Sequence, residues 1–365
     1  MRILVYGMVG SQRGGIESFL LNMNAYMSKE TIFDYVIEED HCIHEKEIRA
    51  RGGNIYYIMA RAKNPIKNIS DNKKLLKKLR GTTDAIYFNL SSLSWIEPIR
   101  LALSEKYRVY VHAHNSQFIS QNSTLAYRIV NYINKYRLGN YQIQRLTCSK
   151  PCSEFLYRTC DKVQMIYNAV DMERFIYNEE KRVYYRKLLN ADENVALLGF
   201  VGRIQGEKNP SYLLKIIKAI SKQGEKVKMI IVGEGDLKKA LEEEVDKEHL
   251  QECVEFLGKR DDVNCLMQAM DVLLLPSFHE GLPYVVVEAQ AAGLRCLVSE
   301  NVTREVDYTG TVHFLKLEPN AENWTEAFAE KHSTDYDRLA ISKMAAESNF
   351  NINVEAHRLE QILRN

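Results

Sequence analysis

Three loops in this chain set ionisable or glycine residues where a strand hands over to a helix. The sharpest is His279-Glu280-Gly281-Leu282-Pro283-Tyr284-Val285-Val286-Val287-Glu288. It follows the apolar run 272–275, so Glu280 is expected in the turn and Glu288 two turns into the next helix. A carboxylate so placed can accept both hydroxyls of a ribose while the helix N-terminus faces a diphosphate. An ordinary amphipathic helix leaves Glu288 unexplained, because it interrupts the apolar run 285–292 and a buried carboxylate needs a partner. The second loop is Phe200-Val201-Gly202-Arg203-Ile204-Gln205-Gly206-Glu207-Lys208-Asn209-Pro210. Arg203 and Lys208 can grip one anion from two sides, and Pro210 suits the first turn of a helix. Against this stands the commoner fate of such side chains, two solvated cations beside a loop. The third, Gly7-Met8-Val9-Gly10-Ser11-Gln12-Arg13-Gly14-Gly15-Ile16-Glu17, lacks both the Gly-Lys-Ser/Thr ending of a P-loop and the Gly-x-Gly-x-x-Gly spacing. Its Gly14-Gly15 pair is expected to leave bare backbone N–H groups for an anion, or merely to make a tight turn.

These loops need rigid elements to hold them. Short β-branched and aromatic runs at 3–6, 35–38, 55–58, 85–89, 108–112, 146–148 and 163–166 read as strands, with helices between them, for example over 16–27 and 125–137. The plan repeats at 196–201, 229–232, 254–257, 272–275 and 296–298, and beyond Glu322 only helices are read. Apolar strands alternating with helices imply parallel sheets covered on both faces. The expected fold is α/β with two doubly wound, Rossmann-like domains. Residues 1–170 form the first, the polar stretch 171–194 is read as a linker, and 195–365 form the second with terminal helices. Ligands of such sheets bind at the carboxyl ends of the strands, which places the expected site in a cleft between two facing domains.

Length and composition agree with two soluble domains: 365 residues, 45% hydrophobic and 27% charged. No apolar run approaches the length of a membrane span, and the opening strand does not read as a signal peptide. Seven cysteines without a Cys-x-x-Cys pair indicate neither a disulfide framework nor a zinc ribbon, and a cytoplasmic setting is expected. The net charge of +1 conceals 24 Lys+Arg against 14 Asp+Glu in residues 1–170, balanced by an acidic remainder. Part of that surplus lies on a helical stretch, 66–80, with Lys67, Lys73, Lys74, Lys77, Lys78 and Arg80 around Ile69, Leu76 and Leu79. Another part lies at 125–137, where Tyr127, Tyr132 and Tyr136 mix with Arg128, Lys135 and Arg137. Such helices suit an anionic membrane surface, or else a solvated outer face. Nucleic acid is not an expected partner, since the acidic second half opposes it and no recognition motif is present. His112 and His114, two apart on one strand, share a face, but no third metal ligand is evident. The triplet Asp335-Tyr336-Asp337 reads as a helix cap.

The Glu280/Glu288 pair within Pro276–Gly293, the segment Gly202-Arg203…Lys208-Asn209, and Gly14-Gly15 together resemble retaining glycosyltransferases of family 4, which have the GT-B fold. Tyr167-Asn168-Ala169-Val170-Asp171 is similar to that family's Pro-Asn-Gly-Ile-Asp hinge, departing from it at Tyr167 and Ala169. Residues 288–307 look most like members that build bacterial capsule or exopolysaccharide. The resemblance implies transfer of a sugar from a nucleotide diphosphate, UDP above all, to a glycan or lipid-linked acceptor. The enzyme would sit on the inner face of the cell membrane and use neither a metal nor another cofactor. It assigns Arg203 and Lys208, with the Gly14-Gly15 backbone, to the departing diphosphate, and Glu288 to the ribose. Glu280, Gly281 and Leu282 would meet the sugar, the backbone near Lys259 and Arg260 the base, and His114 the reacting sugar. The alternatives on this architecture are a nucleotide-sugar epimerase, a phosphorylase, for which no cofactor-lysine motif is found, and a non-catalytic nucleotide-sugar-binding subunit. The presence of Arg203, Lys208, Glu280 and Glu288 together argues against the last.

Overall fold

Runs such as Val272-Leu273-Leu274-Leu275 are apolar at every position because both faces of their strands are covered by helices, and all four side chains are buried. The computed structural model describes residues 1–118, 124–330 and 336–365. The chain divides into two units, 1–169 with 352–365, and 170–351.

In the first unit the strands are β1 Arg2–Tyr6, β2 Ile32–Ile37, β3 Ile55–Tyr57, β4 Ala85–Leu90, β5 Arg108–Ala113, β6 Gln144–Thr147 and β7 Val163–Met165. All pair in parallel, in the order β3-β2-β1-β4-β5-β6-β7. The second unit has β8 Ala196–Val201, β9 Val227–Val232, β10 Val254–Gly258, β11 Val272–Leu275, β12 Arg295–Ser299 and β13 Val312–Leu315. These too are parallel, in the order β10-β9-β8-β11-β12-β13. Strand order reverses beside β1 in one sheet and beside β8 in the other, and such reversals open a crevice at the carboxyl ends of the strands. The loops singled out in the sequence leave from those two strands and from β11.

Two strands depart most from the sequence reading, while β6 and β9 each begin two residues early. β2 starts three residues earlier than expected, because Asp34 interrupts its apolar run; the carboxylate is buried, where it pairs with Arg2 at 2.6 Å and accepts the Asn54 N–H. The edge strand β13 escapes a pattern search because His313 interrupts its apolar run and three of its four residues are only half-buried.

The domain boundaries also change. Residues 171–194 were expected to be a linker, but they fold into helices Met172–Phe175 and Glu179–Leu188 of the second unit. Arg182 and Arg186 anchor the longer helix by donating to the Asp271 carboxylate at 2.6 and 3.1 Å and to carbonyls ending helix Val263–Ala269. Residues 195–365 were expected to stay together, yet the last helix, Ile352–Arg364, packs on the first unit. It is held there by polar groups that hydrophobic patterning does not register. Glu360 accepts hydrogen bonds from the hydroxyls of Ser28 and Thr31 and from Arg364, Tyr110 donates to the Ile362 carbonyl, and Glu355 accepts the Tyr167 N–H.

The basic helix Pro65–Lys78 is seated by Leu75 and Leu76, with Leu79 just after it, all buried; its lysines face solvent. Most of the apolar stripe is therefore spent on the core, with Ile69 half-buried and Ile66 exposed.

Burial alone would raise the Glu360 carboxyl, but hydrogen bonds from Ser28, Thr31 and Arg364 outweigh it and bring the pKa down to about 2. A depressed acid stabilises the fold above the ordinary carboxylate range, and that contribution disappears as pH falls through the depressed value. Glu360→Gln should thus cost about 1–3 kcal/mol near neutral pH. Urea denaturation of the two proteins should converge as the pH approaches about 2.

Candidate active site

Beyond β8 the chain runs extended, with the N–H of Gly202 and of Ile204 donating to the carbonyls of Val232 and Glu234. Backbone meets backbone here: a Cβ on Gly233, whose φ is +139°, would lie 1.9 Å from the Gly202 carbonyl oxygen. A short helical turn, Gly206–Lys208, follows, and Asn209 takes a left-handed conformation that lets Pro210 open helix Pro210–Ser221. That helix sinks Leu213, Ile216, Ile217 and Ile220 into the core, which fixes the loop's base. Lys208 then meets the loop after β11: its ammonium pairs with Glu280, whose Oε1 also accepts the Ser277 hydroxyl at 2.8 Å. The Phe278 N–H donates to the Glu207 carbonyl at 2.9 Å, tying the two loops together along the backbone. Arg203 stands exposed on the same loop as Lys208.

Gly281 and the buried Leu282 lead into helix Tyr284–Ala291, whose fifth residue is Glu288, in the second turn. Gln290 clamps this helix: its amide nitrogen donates to the carbonyls of Val286 and Val306, and its oxygen accepts from Tyr308 and Thr309. Burial raises the Glu288 carboxyl to about 7, against the pull of nearby Arg174. Lys259 and Arg260 extend into solvent past β10, and the Arg260 guanidinium is held in two hydrogen bonds by Asp262 at 2.8 and 2.7 Å.

The first unit carries its own cluster. Helix Gly15–Tyr26 starts directly after Gly14, but the N–H of Gly14 is not bare as expected. Glu17, in the first turn, folds back and accepts the N–H groups of Gly14 and Val9, both at 2.8 Å, so a carboxylate already occupies this helix end. A Cβ on Gly15 would face open space. At the end of β5, the rings of His112 and His114 lie 4.1 Å apart, with Phe19 edge-on to both. His112 Nδ1 is hydrogen-bonded to the Tyr87 hydroxyl, and its Nε2 is buried without a hydrogen-bond partner. His114 Nε2 lies 2.9 Å from Asn89 Oδ1, and the Asn89 amide nitrogen donates to the Tyr6 carbonyl. That orientation gives His114 its proton on Nε2 and leaves the lone pair on Nδ1. Burial brings the His114 pKa down to about 3, so the ring is neutral.

Among the described residues no group of three or more His, Cys, Asp or Glu gathers to hold a metal ion. Asp335 lies outside the described residues; Asp337 caps helix Arg338–Ala346 through the Ala340 N–H at 2.9 Å. Ser277, Asn89, Tyr87, Glu17 and Arg174 went unnoticed in the sequence. Only Glu17 left a local signal, standing three residues after Gly14 at a helix start.

The second unit can thus present cations to an anion and carboxylates to hydroxyls, and known proteins share this frame. Residues 183–343 match the family Glycosyl transferases group 1. The chain is 27% identical over 334 residues to the putative glycosyltransferase EpsF of Bacillus subtilis, covering 88% of this chain and 85% of that one. It is 34% identical over 152 residues to the Escherichia coli UDP-Gal:alpha-D-GlcNAc-diphosphoundecaprenol alpha-1,3-galactosyltransferase, covering 40% of this chain and 39% of that one. Among solved structures, Anabaena HepE in complex with UDP and glucose superposes with a TM-score of 0.79 at 17% identity, covering 100% of this chain and 99% of that one. The chain therefore has the GT-B fold of two Rossmann-like domains.

A raised carboxyl pKa has a consequence for stability. Between the ordinary value of 4.5 and about 7 the unfolded chain ionises at Glu288 while the folded chain keeps its proton, so stability falls over that window. Glu288→Gln removes the penalty. Its stability relative to the wild type should grow by up to about 3 kcal/mol across the window and level off above it. Denaturation of both proteins at the two ends of that range measures the difference.

Proposed function

We propose that this chain is a retaining glycosyltransferase that moves a sugar from a UDP-sugar to a glycan or lipid-linked acceptor in cell-surface polysaccharide synthesis. The observation that carries the reading is the joining of Lys208 to Glu280 at the strand-order reversal of the second sheet, with Arg203 on the same loop, inside the segment that matches group 1 glycosyltransferases. Arg203 and Lys208 supply positive charge where the bond from the anomeric carbon to the diphosphate breaks and the electron pair leaves with the diphosphate. Glu280 orients Lys208 and, with the N–H groups of Gly281 and Leu282, faces the sugar. Glu288 accepts the ribose hydroxyls, and the backbone near Lys259 and Arg260 meets the base. On the first unit, neutral His114 offers its Nδ1 lone pair to a sugar hydroxyl. The choice of UDP draws on the Escherichia coli relative, named for UDP-Gal and a diphosphoundecaprenol acceptor, and on HepE, solved with UDP and glucose.

The same reading places the enzyme on the inner face of the cell membrane. No helix among the described residues is long and apolar enough to cross a bilayer. The basic first unit, with the aromatic helix Leu125–Gly139, supplies surface contact with anionic lipid instead.

Incubating the purified protein with a panel of nucleotide sugars and a lipid-linked acceptor tests this directly. Release of UDP and retention of the anomeric configuration, read by NMR, are expected. Binding of UDP-sugar without release in the presence of acceptor points to the non-catalytic alternative. Because a charge-assisted contact is worth roughly 1.5–3 kcal/mol, Arg203→Ala and Lys208→Ala should each lower turnover on the order of 10- to 150-fold. Wild-type turnover in both variants defeats the assignment of these cations. Activity should also survive EDTA, since side-chain cations neutralise the leaving group. Loss that Mg²⁺ or Mn²⁺ reverses contradicts the metal-independent mechanism.

A further inference from the structure

Helix Leu125–Gly139 is packed inside out. Its buried positions include Asn131 and Asn134, and these grip one backbone unit: Asn131 Oδ1 accepts the Leu93 N–H at 2.6 Å and Asn134 Nδ2 donates to the Leu93 carbonyl at 2.7 Å. Leu138 is buried beside them, but most of the apolar side chains point the other way. Leu125, Ile129, Val130, Tyr132, Ile133 and Tyr136 are all exposed, Leu125 at 75% and Tyr132 at 62%. A helix that keeps its amides inside and its aliphatic and aromatic groups outside exposes an apolar face of the kind that marks an interaction surface. Beside it runs a groove of about 530 Å³ lined by Leu93, Phe118, Ile129, Tyr132, Phe155 and Leu156. That size lies within the range of small-molecule sites, roughly 300–1,000 Å³. Tyr132 also lines a second hollow with Ile133, Tyr136 and Arg137, so the two adjoin.

The charges bordering the groove are mostly positive. Arg128 is exposed at its edge, its guanidinium 6.0 Å from the Phe118 ring, and Lys135 lines the wall, where its ammonium donates to the Glu154 carbonyl. Arg137 and Arg158 flank Tyr136, the latter lying over its ring at 4.9 Å; among the described residues Glu154 is the one acidic side chain lining the groove. An apolar channel with a cationic rim, on a helix bearing tyrosines, matches a hydrocarbon chain that ends in an anionic head. It suits a phosphate-bearing lipid better than a polypeptide.

We propose that this groove holds one hydrocarbon chain of a phosphate-bearing lipid taken from an anionic bilayer, with the phosphate against Arg128. The proposal rests on the membrane reading above and adds a discrete site to it. The exposed face of the helix lies on the bilayer, and one lipid threads between that helix and Phe155–Leu156. Bound there, the lipid would fix the first unit at a set depth rather than merely concentrate it at the surface.

Two probes separate the site from general adsorption. Monomeric dodecyl phosphate, titrated by calorimetry against the full chain with inorganic phosphate as control, reports the groove. Co-sedimentation with phosphatidylglycerol vesicles reports the membrane face. Saturable binding of one dodecyl phosphate per chain is expected, with no binding of inorganic phosphate. Ile129→Trp, which fills the groove from a half-exposed position, should weaken dodecyl phosphate at least tenfold while the protein still pellets with vesicles. Arg128→Glu, on the exposed rim, should weaken it comparably without lowering the melting temperature. No binding of dodecyl phosphate, or equal binding by wild type and both variants, overturns the groove; vesicle pelleting that persists in that case leaves the membrane reading standing. Dodecyl phosphate bound by a protein that ignores vesicles keeps the groove and removes the membrane reading. A concentration-dependent dimer by sedimentation that is unaffected by lipid assigns this face to a second copy and overturns the proposal.

Discussion

At the carboxyl ends of the central strands, backbone lies against backbone with no room for a Cβ, and the placement of the functional groups depends on that contact. Gly7, at φ +108°, ends β1 where a Cβ would lie 2.0 Å from the Asn89 carbonyl oxygen. Gly233, at φ +139°, does the same against Gly202. Left-handed φ values and contacts this short admit only glycine without strain. In the first unit the contact sets Asn89, at the end of β4, where its side chain reaches His114 across the pair β4–β5. In the second it sets the exit of β8, and with it the loop that carries Arg203 and Lys208. In the first unit the tight approach joins β1 and β4, where strand order reverses; in the second it lies on the β9 side of β8, with the reversal on the β11 side.

Burial and hydrogen-bonded neighbours together shape the side chains around those points. His114 is kept neutral by burial and oriented by Asn89, which makes it an acceptor at Nδ1 rather than a cation. Lys208 is ion-paired with Glu280, and Glu280 is braced by the Ser277 hydroxyl. Burial raises the Glu288 carboxyl to about 7, against the pull of Arg174.

The two basic helices of the first unit show how one composition serves opposite ends. Helix Pro65–Lys78 turns its leucines inward and its lysines outward, the ordinary arrangement for an outer face. Helix Leu125–Gly139 turns its asparagines inward and its tyrosines and aliphatic residues outward. Both stretches read as basic and amphipathic, and only the identity of the buried residues distinguishes core packing from an exposed interaction surface.

What the sequence determined by itself was local: alternating apolar strands and helices, hence two parallel sheets, and the loops at which Arg203, Lys208, Glu280 and Glu288 appear. Those signals are legible because strand, turn and helix each follow from neighbours a few residues apart. The tertiary structure alone decided the rest. Ser28 meets Glu360 across 332 residues, so the last helix returns to the first unit although nothing in its own pattern directs it there. Asn89 reaches His114, and Ser277 and Lys208 converge on Glu280, through pairings that leave no periodicity in the chain. Asp34 was hidden for the same reason, because a buried carboxylate is tolerated only when a distant Arg2 completes it. Hydrophobic pattern records which face of an element is covered, whereas hydrogen bonds between distant side chains depend on a geometry that exists only once the sheets have formed.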